Sequence, residues 1–207
     1  MKAVNTIDAY NKNADKYAAK FMDFESYREK IRLFQRRYLP EGSTVFDVGC
    51  GPGNNAAFLM NQDTGYQIEG IDLSIEMVNL AKINAPECSF MVHDIRGIEP
   101  DKAFDAIIAS FCIVHLSHEE TAILIHKFSN MLKKNGSLYL SFMEGKNAGY
   151  ETTTFSENPI FFNYYDRGVV SAMLEENRIS VIDLFSEPYQ ETDGSVTEDI
   201  FIFGKRR

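Results

Sequence analysis

Along the first 39 residues, apolar positions recur at steps of three and four. Ile7, Tyr10, Ala14, Tyr17, Ala18 and Phe21 interleave with Asp8, Asn11, Asp15 and Lys16, and Ile31, Phe34 and Tyr38 repeat the spacing. That period predicts helix over 6–39, stopped by Pro40-Glu41-Gly42. From residue 43 the pattern changes to short apolar runs and alternation. Strands are predicted at 43–48, 66–71, 88–92, 104–110, 136–142, 179–185 and 199–205. Helical stretches at 54–62, 74–84 and 118–134 separate the early ones. Ser117 and Glu120 make a capping box for the last of these, and Lys133-Lys134-Asn135-Gly136 reads as its end. Strand–helix–strand repetition predicts an α/β fold, a parallel sheet covered by helices on both faces. The final two strands are joined by 186–198, read as a long loop, which permits an antiparallel pair.

The 207 residues suit a single domain with a sizeable core. Its expected parts are a helical cap over 1–40, a core over 41–142, an aromatic insertion over 143–165, and a helix with a strand pair over 166–207. The insertion carries Tyr150, Phe155, Phe161, Phe162, Tyr164 and Tyr165 around Thr152-Thr153-Thr154. A crossover of that length suggests a lid or substrate wall, and rings packed onto the sheet edge are the alternative.

Charge and cysteine usage narrow the function classes. Net charge is −9, so phosphate backbones are repelled and nucleic acid is not an expected partner. Arg36-Arg37 and Lys205-Arg206-Arg207 read as a solvated helix end and tail. Cys50, Cys88 and Cys112 are odd in number and widely spaced, which argues against a disulfide framework or a zinc site. No metal is expected. No apolar run resembles a signal peptide or reaches the roughly 20 residues that span a bilayer. A cytoplasmic protein without membrane attachment, monomeric or homodimeric, is the expectation.

The chemistry concentrates at Val45-Phe-Asp47-Val-Gly49-Cys50-Gly51-Pro-Gly53. An apolar strand ends in an acid, and glycines then let the backbone turn and a ligand approach its N–H groups. The dinucleotide fingerprint G-x-G-x-x-G would need glycine at Asn54, so the pattern argues against NAD. Asp72 closes the next strand in Gly70-Ile-Asp72-Leu73-Ser74. It is placed to grip a ribose diol, or to serve only as a capping carboxylate. Asp94, after the third strand, can accept from an adenine amino group or stand in water.

These blocks, with Met77, His93-Asp94-Ile95 and Phe104-Asp105-Ala-Ile-Ile-Ala-Ser110 leading to His115-Leu116, resemble the class I S-adenosylmethionine-dependent methyltransferases from about residue 40 to 142. The small-molecule branch is the nearest match. The resemblance implies a Rossmann-like doubly wound sheet of seven strands, the last antiparallel. It implies S-adenosylmethionine as cofactor. Gly49, Cys50 and Gly51 would line its methionine half with Asp47 beneath, and Asp72 would hold the ribose. Leu73 and Met77 would flank the adenine, Asp94 and Ile95 would meet its edge, and Ser110 would lie near the sulfonium. Tyr17, in a segment that folds over the cofactor in similar proteins, is a further contact.

Methyl transfer from a sulfonium needs alignment in a dry pocket, and a base only where the nucleophile must lose a proton. His115 is the candidate base; a structural histidine is the alternative. The exocyclic-amine methylating signature is replaced by Ser110-Phe-Cys-Ile, and no cysteine follows a proline as in cytosine-C5 enzymes. The expected reaction is methyl transfer to a small-molecule acceptor. A protein methyltransferase and a non-catalytic S-adenosylmethionine-binding module are the alternatives.

Overall fold

The computed structural model describes residues 2–62, 64–191 and 194–207, with side chains described from residue 6 onward. Three helices come first, α1 (Lys2–Lys12), α2 (Ala14–Phe21) and α3 (Glu25–Tyr38). The predicted helical region is thus broken by a turn at Asn13 and again before Glu25. The core then alternates β1 (Thr44–Val48), α4 (Asn54–Met60), β2 (Gln67–Asp72), α5 (Ile75–Asn84), β3 (Ser89–Val92), β4 (Phe104–Ser110), α6 (His118–Met131) and β5 (Leu132–Glu144). A two-stranded sheet, β6 (Gly149–Glu151) and β7 (Ile160–Phe162), occupies the aromatic insertion. The chain ends in α7 (Arg167–Glu176), β8 (Ile179–Gln190) and β9 (Val196–Arg206).

The main sheet has seven strands in the order β3-β2-β1-β4-β5-β9-β8. The pairs from β3 to β5 are parallel, and β9 runs antiparallel to both β5 and β8. The expected α/β doubly wound fold is therefore present.

Strand alternation builds two cores. Phe46, Ile107, Leu138, Leu140 and Ile202 face α6 and α7, meeting Leu124, Phe128, Val170 and Leu174. Val45, Ile68, Ala106, Ile108 and Phe203 face the other way, onto Ile31 and Phe34 of α3, Leu59 of α4 and Val78 of α5. A third, small cluster of Ala9, Phe155 and Ile160 fastens α1 to the insertion.

Two boundaries depart from expectation. Helix α6 begins with the capping box on Ser117 but ends at Met131, three residues short of the predicted end at 134. Leu132 already pairs with Phe104, and the register slips before Ala106 meets Ser137. Asn135 sits at φ +63°, so the Lys-Lys-Asn-Gly run forms the irregular start of β5. The predicted 186–198 loop is mostly hairpin: Glu187 faces Asp199 and Gln190 faces Val196 in the β8–β9 ladder. Pro188 sits in β8 because β8 is the edge strand, where proline costs little. Residues 192 and 193 of that segment lie outside the described residues.

Candidate active site

Strand order reverses between β1 and β4, and open α/β sheets bind ligands at the carboxyl ends of the strands beside that point. A cavity opens there. Tyr17, Gly49, Gly51, Asp72, Leu73, Met77, Asp94, Ile95, Ser110 and His115 all line it. Asp47 and Cys50 do not reach the cavity surface; both are buried behind the glycine loop.

The loop depends on its glycines through close approach as well as turning. Gly49 has φ +71°, and a Cβ there would sit 2.6 Å from the Cβ of Cys112. Gly51, at φ +53°, turns its N–H to Asp72 Oδ2 at 2.9 Å. Ser74 N–H donates to Asp72 Oδ1 at 2.8 Å. Asp72 therefore braces the loop and forms part of the cavity wall, while the Ser74 hydroxyl caps α5 by accepting from Met77 N–H, and both Asp72 oxygens retain lone pairs for further donors. Asp94 is clamped by Arg96, whose Nε lies 2.9 Å and 3.0 Å from its two oxygens. That guanidinium holds the Asp94 carboxyl below its usual range.

Asp47 is 1% exposed, and neither carboxylate oxygen has a hydrogen-bond partner among the described residues. Burial, then the charge of Asp72, pushes its carboxyl up to about 7, opposed by nearby Asn55. Acidic groups thus lie behind the glycine loop at Asp47, which a neighbouring cation would help to ionise, and beside it at Asp72. A ligand carrying a sulfonium and an α-ammonium suits this field, and a diphosphate does not.

His115 lies on the short 3-10 turn Ile113–His115 after β4. Its Nδ1 is 2.9 Å from the Phe161 carbonyl, which can only accept, so Nδ1 carries the proton. Nε2 is then bare and accepts from the Tyr10 hydroxyl at 3.1 Å. Burial lowers the ring's pKa to about 4, so the imidazole is neutral at physiological pH. The arrangement gives a neutral base whose lone pair is held by a phenol. Tyr10 was not singled out in the sequence. Its one signal is its position seven residues before Tyr17, on the same helical face.

A second cavity adjoins the first. Tyr10, Tyr17 and Phe111 line both, forming the wall between them. Phe111 occupies the left-handed region at φ +50°, uncommon for an aromatic residue. Two bonds from its N–H, to Ser141 O at 3.1 Å and Ser141 Oγ at 3.0 Å, keep it there. The far side of this cavity comes from the aromatic insertion and the β8–β9 hairpin, including Phe155, Tyr164, Tyr189 and Asp199.

A switch-point cavity, a glycine loop and acids at successive strand ends define an α/β protein built to hold an adenosine-containing ligand. Residues 45–136 match the family described as Methyltransferase domain. Trans-aconitate 2-methyltransferase from an Enterobacter species is 36% identical over 114 residues, which are 55% of this chain and 44% of that protein. The aligned region thus spans less than half of that curated relative's length. Among solved structures, a 1,6-didemethyltoxoflavin-N1-methyltransferase from Burkholderia thailandensis, with bound 1,6-didemethyltoxoflavin and S-adenosylhomocysteine, superposes with a TM-score of 0.74 at 13% identity. The match covers 99% of this chain and 88% of that one. An S-adenosylmethionine-dependent methyltransferase from Clostridium acetobutylicum gives 0.73 at 16% identity, over 95% and 98% of the two chains. At these identities the solved structures speak to the fold. The domain match over 45–136 and the curated relative make this core similar to the class I S-adenosylmethionine-dependent methyltransferases, whose cofactor is S-adenosylmethionine.

Proposed function

We propose that this chain transfers a methyl group from S-adenosylmethionine, bound in the switch-point cavity, to a small-molecule acceptor in the second cavity. The observation that carries this reading is the shared wall of Tyr10, Tyr17 and Phe111. Two neighbouring cavities, one beside the glycine loop and one walled by rings, suit a donor and an acceptor. The relatives' names, a trans-aconitate methyltransferase and a didemethyltoxoflavin methyltransferase, point to small acceptors as well.

Asp72 would hold the ribose, Leu73 and Met77 would flank the adenine, and Asp94 with Ile95 would meet its edge. Gly49 and Gly51 would border the methionine portion, over the buried carboxyl of Asp47. When bound, the cofactor supplies an activated methyl group on a good leaving group. The protein's part is orientation and exclusion of water, which the surrounding rings provide. Where an acceptor must lose a proton, Nε2 of His115 is the basic atom at the wall, reached through or in place of the Tyr10 hydroxyl.

Calorimetric titration with S-adenosylmethionine tests the donor site. Asp72→Ala should weaken binding by about 1–3 kcal/mol, the cost of leaving buried hydroxyls unpaired. Affinity equal to wild type would remove Asp72 from the ribose. Asp72→Asn keeps an oxygen for one of the backbone N–H groups, and it separates loss of the ribose grip from loosening of the loop.

A further inference from the structure

The second cavity combines aromatic faces with an uncompensated acid. Tyr27 stacks on Phe111 with ring centroids 4.8 Å apart, and Phe21 lies parallel to Tyr27 at 6.1 Å. Phe155 stands edge-on to Tyr17 at 5.1 Å. Asp199 of β9 is set into this wall and is 3% exposed. Its only hydrogen-bond donor among the described side chains is the Tyr27 hydroxyl, 2.7 Å from Oδ2.

The charges that act on Asp199 are Glu191, Glu187 and Glu198, all of its own sign. Neighbouring acids have their own partners. Glu187 pairs with Lys30, and Glu151 pairs with Lys146 at 3.3 Å. Lys20 is the one cation lining the cavity among the described residues, and it donates to the hydroxyls of Thr154 at 2.6 Å and Tyr189 at 2.8 Å. Among the described residues Asp199 is left as a buried carboxylate without a counter-ion. Burial, with these like charges, pushes its carboxyl up to about 7 despite the Tyr27 bond.

An unpaired buried carboxylate is costly, and a ligand cation would relieve it. Aromatic faces attract cations and repel anions. An acceptor bearing several carboxylates would need arginine or free lysine, and no arginine lines this cavity among the described residues. We propose that the second cavity recognises its acceptor through an organic ammonium group, seated among the rings and paired with Asp199. This rests on the reading of that cavity as the acceptor site and names the chemical class it takes.

The test is calorimetry on protein loaded with S-adenosylhomocysteine, using 2-phenylethylamine, its neutral isostere 2-phenylethanol, and trans-aconitate as probes. The amine should bind at least tenfold tighter than the alcohol, and trans-aconitate should bind more weakly than either. Asp199→Asn should lower amine affinity at least tenfold and leave that of the alcohol and of S-adenosylhomocysteine unchanged. Equal affinity for amine and alcohol, no saturable amine binding, or a preference for trans-aconitate overturns the proposal. If Asp199→Asn fails to fold, the wild-type amine–alcohol contrast still decides. Failure to load S-adenosylhomocysteine counts against the donor site instead, and amine binding to the unloaded protein still reads the second cavity.

Discussion

His115 carries a definite tautomer because its two neighbours leave no choice. The Phe161 carbonyl fixes the proton on Nδ1, and the Tyr10 hydroxyl fills the Nε2 lone pair. Burial lowers the ring's pKa to about 4. Nitrogen NMR of the histidine ring should therefore show a neutral Nδ1–H form that does not titrate between pH 5 and 8. An inflection near the ordinary histidine value of about 6.5 would mean the ring is more exposed than this. His115→Ala should lower turnover on the order of 100-fold, the lower range for loss of a general base, with cofactor affinity unchanged. Unaltered turnover would make the ring structural. Structural and catalytic roles are not exclusive here, since a carbonyl that anchors Nδ1 also leaves Nε2 basic.

The aromatic insertion acts through the turn that carries His115. Asn163 donates from its backbone N–H to Val114 O at 2.6 Å and from its side chain to Leu116 O at 2.9 Å. The Tyr165 hydroxyl reaches the same Leu116 carbonyl at 2.7 Å. Asn163→Ala removes one of the two donors to the Leu116 carbonyl and should destabilise the fold by about 0.5–1.5 kcal/mol, the net worth of one hydrogen bond, read from urea unfolding. Because β7 also supplies the Phe161 carbonyl, turnover should fall more than cofactor affinity does. Wild-type stability in the variant would mean the clamp is dispensable. Elements of this kind separate what the sequence shows from what it hides. Glycine spacing, strand-end acids and the capping box at Ser117 are local, and each was legible. The contact of Tyr10 with His115 spans 105 positions, so no local pattern announces it. The Lys133–Gly136 run misled for a physical reason: a left-handed residue followed by glycine ends a helix or begins a bulged strand equally well. The hairpin within 186–198 was hidden because pairing at the edge, which lets β8 carry Pro188, is a property of the whole sheet.

For the molecule as a whole, the buried acid Asp47 links folding, pH and the donor site. It lies on β1, one of the two strands that flank the switch point, with its carboxyl pushed up to about 7. In the unfolded chain an aspartate titrates near 3.9. Between those values the folded protein holds a proton that the unfolded chain has released. The stability contributed is full below about pH 4 and is lost as pH rises through about 7, at about 1.4 kcal/mol per pH unit inside that window. Asp199, also raised to about 7, acts with the same sign, and the lowered His115 acts with the opposite sign. Both cancel when wild type is compared with Asp47→Asn, which stays neutral throughout. Urea unfolding at pH 5 and pH 8 should show the variant gaining stability relative to wild type by a few kcal/mol at the higher pH. A difference independent of pH would mean that Asp47 is already ionised in the fold. Cofactor binding should mirror this. The ammonium of S-adenosylhomocysteine favours the ionised carboxylate, so affinity should rise from pH 6 to pH 8 in wild type with release of a proton. It should show no such rise in Asp47→Asn, because the amide has no proton to give up when the cation arrives.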